Sequence, residues 1–256
     1  RSTRKESSAA SDVYKRQVQY ITKELPQKYK SFFEQVGCNF LLLPAFNHCI
    51  TPTTPYLEPL LKRSFDVFFA LTLLFLVMSW LVPVLWILNL FVGGGPLFFS
   101  HQREGKDRKL FWCYKFRTFP RNAVHPKPGE PMTTPIPWLG TLLRNSGIDE
   151  LLQVLNILKG EMSVVGPRPH LLEYNAYYQS VVGQEEMDKR HNAHPGLTGL
   201  AQIRGYRGDT PNNASIHNRI NSDIEYINKQ SFLLDLEIIA ISLWMLIRAT
   251  VRRIFN

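Results

Sequence analysis

Two adjacent carboxylates, Asp149 and Glu150, stand at the mouth of an apolar helix in RNSGIDELLQVLNILKGEMSVVGPRP, residues 144–169. Arg144 lies five residues before Asp149, and Arg168 follows the helix between two prolines, in Gly166-Pro167-Arg168-Pro169. Flanking prolines fix the backbone and lower the entropy lost on binding, and a guanidinium fork matches phosphate. A helix start also offers free N–H groups and the positive end of a dipole. Upstream, Lys115 and Arg117 share one face of an alternating strand with Cys113 and add two cations. A plainer reading competes. Ser146-x-x-Asp149 has the spacing of a capping box, which would make Asp149 a helix-start residue only. On spacing alone the charged set is either a salt-bridge network or a metal–diphosphate site.

The elements around these residues are legible in outline. Residues 65–92 are apolar apart from Asp66 and would make a helix about 42 Å long, more than a bilayer core needs. Pro83 lies inside that run and should kink it. Lys62 and Arg63 precede it, and Arg103, Lys106, Arg108 and Lys109 follow it. Cationic flanks on both sides put both ends on the cytoplasmic face, as in a helix that enters, bends and returns. A straight span is the alternative. Gly93-Gly94-Gly95 lacks a following Lys-Ser/Thr, so it reads as a helix stop rather than a phosphate loop. A β-hairpin follows, with REGKDR as its tip and Leu110, Trp112, Tyr114 and Phe116 on the face opposite the cations. Residues 120–137 hold six prolines and read as a mobile loop. Helices are expected over 138–144, 149–159, 171–182 and 210–228. The C-terminal stretch has only ten residues free of charge, 238–247, too few to span. With Trp244, Arg248, Arg252 and Arg253 it reads as a helix lying in the membrane interface, with a core helix as the alternative.

Composition fits this picture. The chain has 256 residues, 45% hydrophobic and 20% charged, and a net charge of +9. A basic balance suits nucleic acid, anionic lipid or phosphorylated substrates. Cys38, Cys49 and Cys113 form no framework, which suits a reducing compartment. Residues 1–17 read as a sequencing-library transposase adapter translated in frame, and not as biological sequence. They carry five basic and two acidic residues, which leaves +6 for the rest. Residues 18–55 read as the last αβ unit of a truncated upstream domain plus a linker, and residues 56–256 as the functional domain, with its membrane helix at about 62–92.

A series of motifs in fixed order then narrows the choice. Lys62-Arg63-x-x-Asp66, the proline-broken apolar run, QREG, KFRTF, DELLQ with KGEMSVVGPRP, HPGLTGLAQIRGYRGDT and the final D-x2-YI block together resemble the bacterial sugar transferase family, over residues 56–248. These are polyprenyl-phosphate phosphoglycosyl transferases, and VVGPRPH and RGYRGDT look most like the undecaprenyl-phosphate glucose phosphotransferases. The resemblance implies a mostly α, monotopic membrane protein. It would have a small β-hairpin, a Pro-broken re-entrant helix and a C-terminal interfacial helix. It would sit on the cytoplasmic face of the bacterial inner membrane. The implied reaction moves a hexose 1-phosphate from a UDP-sugar to undecaprenyl phosphate and releases UMP, as a first membrane step of exopolysaccharide or O-antigen assembly. In that family the aspartate attacks phosphorus, which maps to Asp149. The glutamate holds Mg²⁺, which maps to Glu150. Phosphate-binding cations map to Lys115, Arg144 and Arg168, with Arg117 beside them.

This sequence departs from the family pattern at Leu152, where proline is usual, and in KFRTF. It departs again at Val82-Pro83 in place of Ser-Pro, and in TTPIPWLG, where an acidic stretch is expected. A UDP-N-acetylhexosamine donor and a non-catalytic scaffold on anionic lipid are the competing readings. No nucleic-acid partner is expected, and a homodimer is compatible with the reading. His191 and His194, three apart, are too few for a metal site and read as a structural turn.

Overall fold

The computed structural model describes residues 57–92, 95–120, 123, 134–206 and 213–255. The expected adapter, the αβ remnant and most of the proline-rich loop lie outside them, as do Gly93 and Gly94. The body described below begins at Leu61.

Apolar sequence makes the first element a helix, in three segments. α1 (Leu57–Leu73) passes into a π-helical turn, Leu74–Met78, and continues as α2 (Ser79–Phe91). Pro83 lies inside α2, with helix on both sides of it, so the irregular turn falls upstream of the proline. A π turn widens the helix and displaces carbonyls. Here the Ser79 hydroxyl donates to Phe75 O at 2.6 Å and the Trp80 indole to Leu76 O at 2.9 Å. Asp66, Ala70, Met78, Leu81 and Leu85 are buried at three-, four- and eight-residue spacings, which places them on one stripe. The remaining faces expose Phe68, Phe75, Leu76, Trp80, Trp86 and Phe91, the last at 80%. So large an exposed apolar surface marks an interaction site rather than ordinary surface scatter.

The buried stripe packs into a core. Met78, Leu81 and Leu85 cluster with Leu97, Phe116, Leu139, Leu143 and Leu152. Each such side chain contributes about 1.5–3 kcal/mol by leaving water. Phe116 belongs to the expected hairpin, β1 (Phe98–Glu104) paired antiparallel with β2 (Leu110–Phe116), Phe98 opposite Phe116. Its tip is a short 3-10 turn, Lys106–Arg108, with Asp107 and Arg108 at positive φ. Asp107 N donates to His191 O at 2.8 Å, and Arg108 donates to Asp188 and Gln179, which hold that conformation.

Leu139 and Leu143 come from α3 (Trp138–Ser146). The chain then turns at Gly147, in the left-handed region, into a 3-10 helix, Ile148–Gln153, and α4 (Val154–Lys159). The expected capping box is therefore absent. Ser146 ends α3, and its hydroxyl donates backward to Leu142 O and Leu143 O instead of forward to the next helix. Gly147 stands between the two helices, and the tight 3-10 geometry replaces the α-turn expected from residue 149.

Two short parallel strands escaped the sequence reading, β3 (Ser163–Val165) and β4 (Gly196–Thr198). Between them run α5 (Leu172–Val182) and α6 (Gln184–Arg190), and only the first was expected. Beyond β4 come α7 (Leu200–Ile203), α8 (Asn213–Lys229) and α9 (Phe232–Phe255). Tyr178, Met187, Ile216 and Ile220 join α5, α6 and α8 in a second core. α9 divides the two readings made of it. Leu234, Ile238 and Ile241 are buried, and Ser242 bonds Thr198. Its later part exposes Leu243, Leu246 and Ile247, with Arg248 stacked 5.0 Å from Trp244.

Candidate functional site

Three separate elements deliver the charged residues. β2 brings Lys115, the 3-10 helix brings Asp149 and Glu150, and the loop leaving β3 brings Arg168. Glu150 is the hub. Its Oε1 accepts from Lys115 Nζ at 2.7 Å and from Arg168 Nη2 at 2.7 Å, and its Oε2 accepts from Arg168 Nη1 at 3.0 Å. Arg168 therefore grips the carboxylate with both prongs of its fork, the strongest geometry for such a pair.

The two carboxyls are driven apart electrostatically. Burial alone would push Glu150 up, but Arg168 and Lys115, by charge and by hydrogen bonds, hold it well below the usual range. Asp149 moves the other way. Burial raises it, the neighbouring Glu150 charge adds to that, and Lys115, Arg144 and Arg168 only partly oppose them. A raised carboxyl is more basic, hence a better nucleophile when ionised, and neighbouring acids pushed in opposite directions mark separate roles.

Of the residues expected to gather here, Lys115, Asp149, Glu150 and Arg168 do so. Arg144 lies close enough to act on the Asp149 charge, and its guanidinium is 4.7 Å from the Phe119 ring. Arg117 does not join them. Its Nε donates to Pro96 O at 3.0 Å and its guanidinium lies 5.0 Å from the Phe99 ring. The residue is one step beyond β2, yet its N–H still donates across the hairpin to Leu97 O at 2.8 Å, so strand alternation holds there. Phe99 is paired opposite Lys115, so the two cations share the expected face, but Arg117 is spent on Pro96 O and the Phe99 ring rather than on Glu150.

Residues not singled out from sequence complete the setting. Asn156 is fully buried in α4 and acts as a substitute strand for the open edge of β2. Its Nδ2 donates to Trp112 O at 2.7 Å, and its Oδ1 accepts from Tyr114 N at 3.1 Å. That clamp fixes the strand bearing Lys115 against α4, which continues directly from the 3-10 helix bearing Glu150. A buried Asn in an apolar helix was the available signal, since such a group must find partners. Arg103, in QREG, donates to Pro169 O at 3.1 Å and faces Cys113, Arg168 and Glu150. Arg190, held by Asp223 at 2.8 Å, donates to Arg168 O. His170 sits among Arg190, Arg219, Arg168 and Arg103. Burial and those charges hold it well below its ordinary value, so it is neutral. Glycine is required where the Arg168 loop meets β4. A Cβ on Gly196 would lie 2.1 Å from Gly166 N. His191 is buried, with Nδ1 2.6 Å from Met187 O and Nε2 3.3 Å from Glu104, a packing role.

Asp149 and Glu150 are the acids able to meet a divalent cation here, and no cluster of three or more metal-type side chains occurs among the described residues. Of about four lone-pair positions on Glu150, three are taken, which leaves one on Oε2. That fits a Mg²⁺ bound mainly through substrate phosphate, the usual mode for this ion.

A carboxylate pair thus stands among fixed cations, in a chain whose long helix is apolar enough, by length and composition, to cross a membrane. Comparison with known proteins gives the family. The model of the family described as bacterial sugar transferase matches residues 57–249, and the chain belongs to that family. A UDP-glucose:undecaprenyl-phosphate glucose-1-phosphate transferase of Xanthomonas campestris pv. campestris is 38% identical over 151 residues, 58% of this chain and 31% of that protein. The protein of the same name from Escherichia coli K12 is 36% identical over 193 residues, 72% of this chain and 40% of its own length. The exopolysaccharide production protein PSS of Rhizobium leguminosarum bv. phaseoli is 38% identical over 190 residues, 72% of this chain and 93% of that protein. The chain thus spans less than half of the two transferases and nearly all of the third relative.

Proposed function

We propose that the protein transfers a hexose 1-phosphate from a UDP-sugar to undecaprenyl phosphate, with Asp149 as nucleophile and UMP as leaving group. The observation that carries this is the split pair. Glu150 is locked ionised by Lys115 and Arg168, while the carboxyl of Asp149 beside it is raised and has no hydrogen-bond partner among the described residues. In the first step an Asp149 carboxylate oxygen bonds to the phosphorus that bears the sugar, and the bond from that phosphorus to the UMP oxygen breaks. In the second, a phosphate oxygen of undecaprenyl phosphate attacks the same phosphorus and the Asp149 carboxylate departs intact. Arg168, Lys115 and Arg144 neutralise the charge that would otherwise repel both approaches, the main demand of phosphoryl transfer. Mg²⁺, when bound to Glu150 and the diphosphate, would stabilise the leaving group. The relatives' names support glucose as the sugar and exopolysaccharide assembly as the setting.

Membrane fractions incubated with undecaprenyl phosphate and a panel of UDP-sugars should release UMP with UDP-glucose. Release with a UDP-N-acetylhexosamine alone would change the donor. No release with any donor would favour the lipid-bound scaffold.

The same reading makes α1 and α2 a re-entrant helix in the cytoplasmic leaflet, and the later part of α9 an interfacial helix. The stripe from Asp66 to Leu85 supports it, because it keeps the apolar helix against the body along some 28 Å. Ser64→Cys and Ser100→Cys should both react with an impermeant maleimide from the cytoplasmic side. Labelling of the two from opposite faces would establish a straight span instead.

A further inference from the structure

We propose that Lys62 is a positioning residue that ties the seating of the membrane helix to the backbone carrying Arg168. The inference rests on the membrane and phosphate roles just proposed. The Lys62 ammonium gives all three of its protons to separate partners: Val165 O at 3.1 Å, Tyr226 Oη at 3.2 Å and Asp235 Oδ2 at 2.5 Å. The Tyr226 hydroxyl closes the group, 2.7 Å from Asp235 Oδ1 and 3.1 Å from Val165 O. Neighbours on α1 grip the same region. Arg63 donates to Ile157 O and Leu158 O, at the end of the helix that follows Glu150. The Asp66 carboxylate accepts from Val164 N at 2.9 Å. Two turns of the membrane helix therefore hold both the start and the end of residues 157–165.

Little slack separates this grip from Arg168. Only Gly166 and Pro167 intervene. Gly166 N donates to Thr198 O at 2.9 Å, and a Cβ on Gly166 would lie 2.3 Å from His194 O. Proline fixes its own φ. Beyond the guanidinium, Arg190 and Arg103 hold the carbonyls of Arg168 and Pro169. With the downstream side fixed, any shift of Val165 is passed to Arg168 and so to its fork on Glu150. A buried ion pair is weak evidence of a stabilising device, because apolar residues of similar size often hold helices together as well. What the ammonium adds is three diverging donors, and one of them reaches the loop carbonyl. Arginine's planar fork cannot reproduce that arrangement.

The test uses the full chain in nanodiscs of phosphatidylethanolamine and phosphatidylglycerol. Lys62→Met alone strands the buried Asp235 carboxylate, so the informative variant is Lys62→Met/Asp235→Asn, which removes both charges and keeps an acceptor for Tyr226. Amide hydrogen exchange across residues 162–170 should speed up at least ten-fold in that variant, with β1 and β2 unchanged. Transfer from nanodisc to detergent should loosen the same segment in the wild type and leave the variant unaffected. KM for the UDP-sugar should rise and kcat fall, without loss of folded protein. Unchanged exchange in the loop, a uniform rise across all segments, or a variant that keeps the wild-type lipid dependence would each overturn the proposal. Failure of the wild type to turn over any UDP-sugar would overturn the functional reading, while the exchange comparison would still decide the coupling.

Discussion

Asp149→Asn is expected to give a folded protein whose turnover falls by about four orders of magnitude, roughly 5–6 kcal/mol of transition-state stabilisation. Asparagine fills the same space but has no basic oxygen to attack phosphorus. No capping role confuses the result, since Ser146 and Asp149 do not form a capping box. Stability should even move the other way. The folded protein holds Asp149 above its ordinary value of 3.8, so its proton stabilises the fold below that pH. The contribution is lost as pH rises through the folded value, and at neutral pH the ionised group is a cost. Removing it should leave Tm equal or higher at pH 7, the pattern of a site strained for function. Incubation with labelled UDP-sugar and no acceptor should leave label on wild-type protein only, and kinetics should be ping-pong. Equal label on both proteins, or UMP release that needs the acceptor, would remove Asp149 as nucleophile.

The same residues show how far sequence reasoning reached and why it stopped. Lys115, Asp149, Glu150 and Arg168 were legible because motifs name them and because unlike charges in an apolar setting must pair. Arg117 keeps the face that alternation gives it, but alternation says nothing of partners, and Pro96 O with the Phe99 ring takes its guanidinium instead of Glu150. Ser146 was misread as a cap because S-x-x-D spacing says nothing of the glycine between, and Gly147 in the left-handed region ends one helix before the next begins. The long helix was evident from its apolar content, whereas its π turn left no comparable mark. β3 and β4, three residues each, pair over about thirty intervening residues, and no local period signals such a contact. Asn156, Arg103 and Lys62 stood inside recognised motifs, yet their partners are distant in the chain, so only the fold reveals what they hold.

Arg168→Lys should fail almost as completely as removal of the side chain, which makes it the sharpest test of the phosphate role. The fork places two N–H groups on the two Glu150 oxygens, and its fixed plane leaves further donors for substrate phosphate. A lysine supplies one flexible point charge beside Lys115, which already occupies Oε1. KM for the UDP-sugar should rise and kcat should fall together. Arg168→Met should also destabilise, because Glu150 keeps its burial and loses its larger charge partner. Arg168 is 29% exposed, so the loss should be about 2–3 kcal/mol, below the range for a fully buried pair. The pH dependence has a definite sign. Glu150 is held below its ordinary 4.5, so its pairing stabilises the wild type above that pH and is lost as pH falls through the folded value. Arg168→Met should lose much of that dependence. The double variant Arg168→Met/Glu150→Gln should regain most of the stability, measured by denaturant unfolding, and none of the turnover. If Arg168→Lys keeps wild-type kcat/KM, the bidentate fork has no part in binding the donor, and Lys115 with Arg144 must carry the phosphate alone.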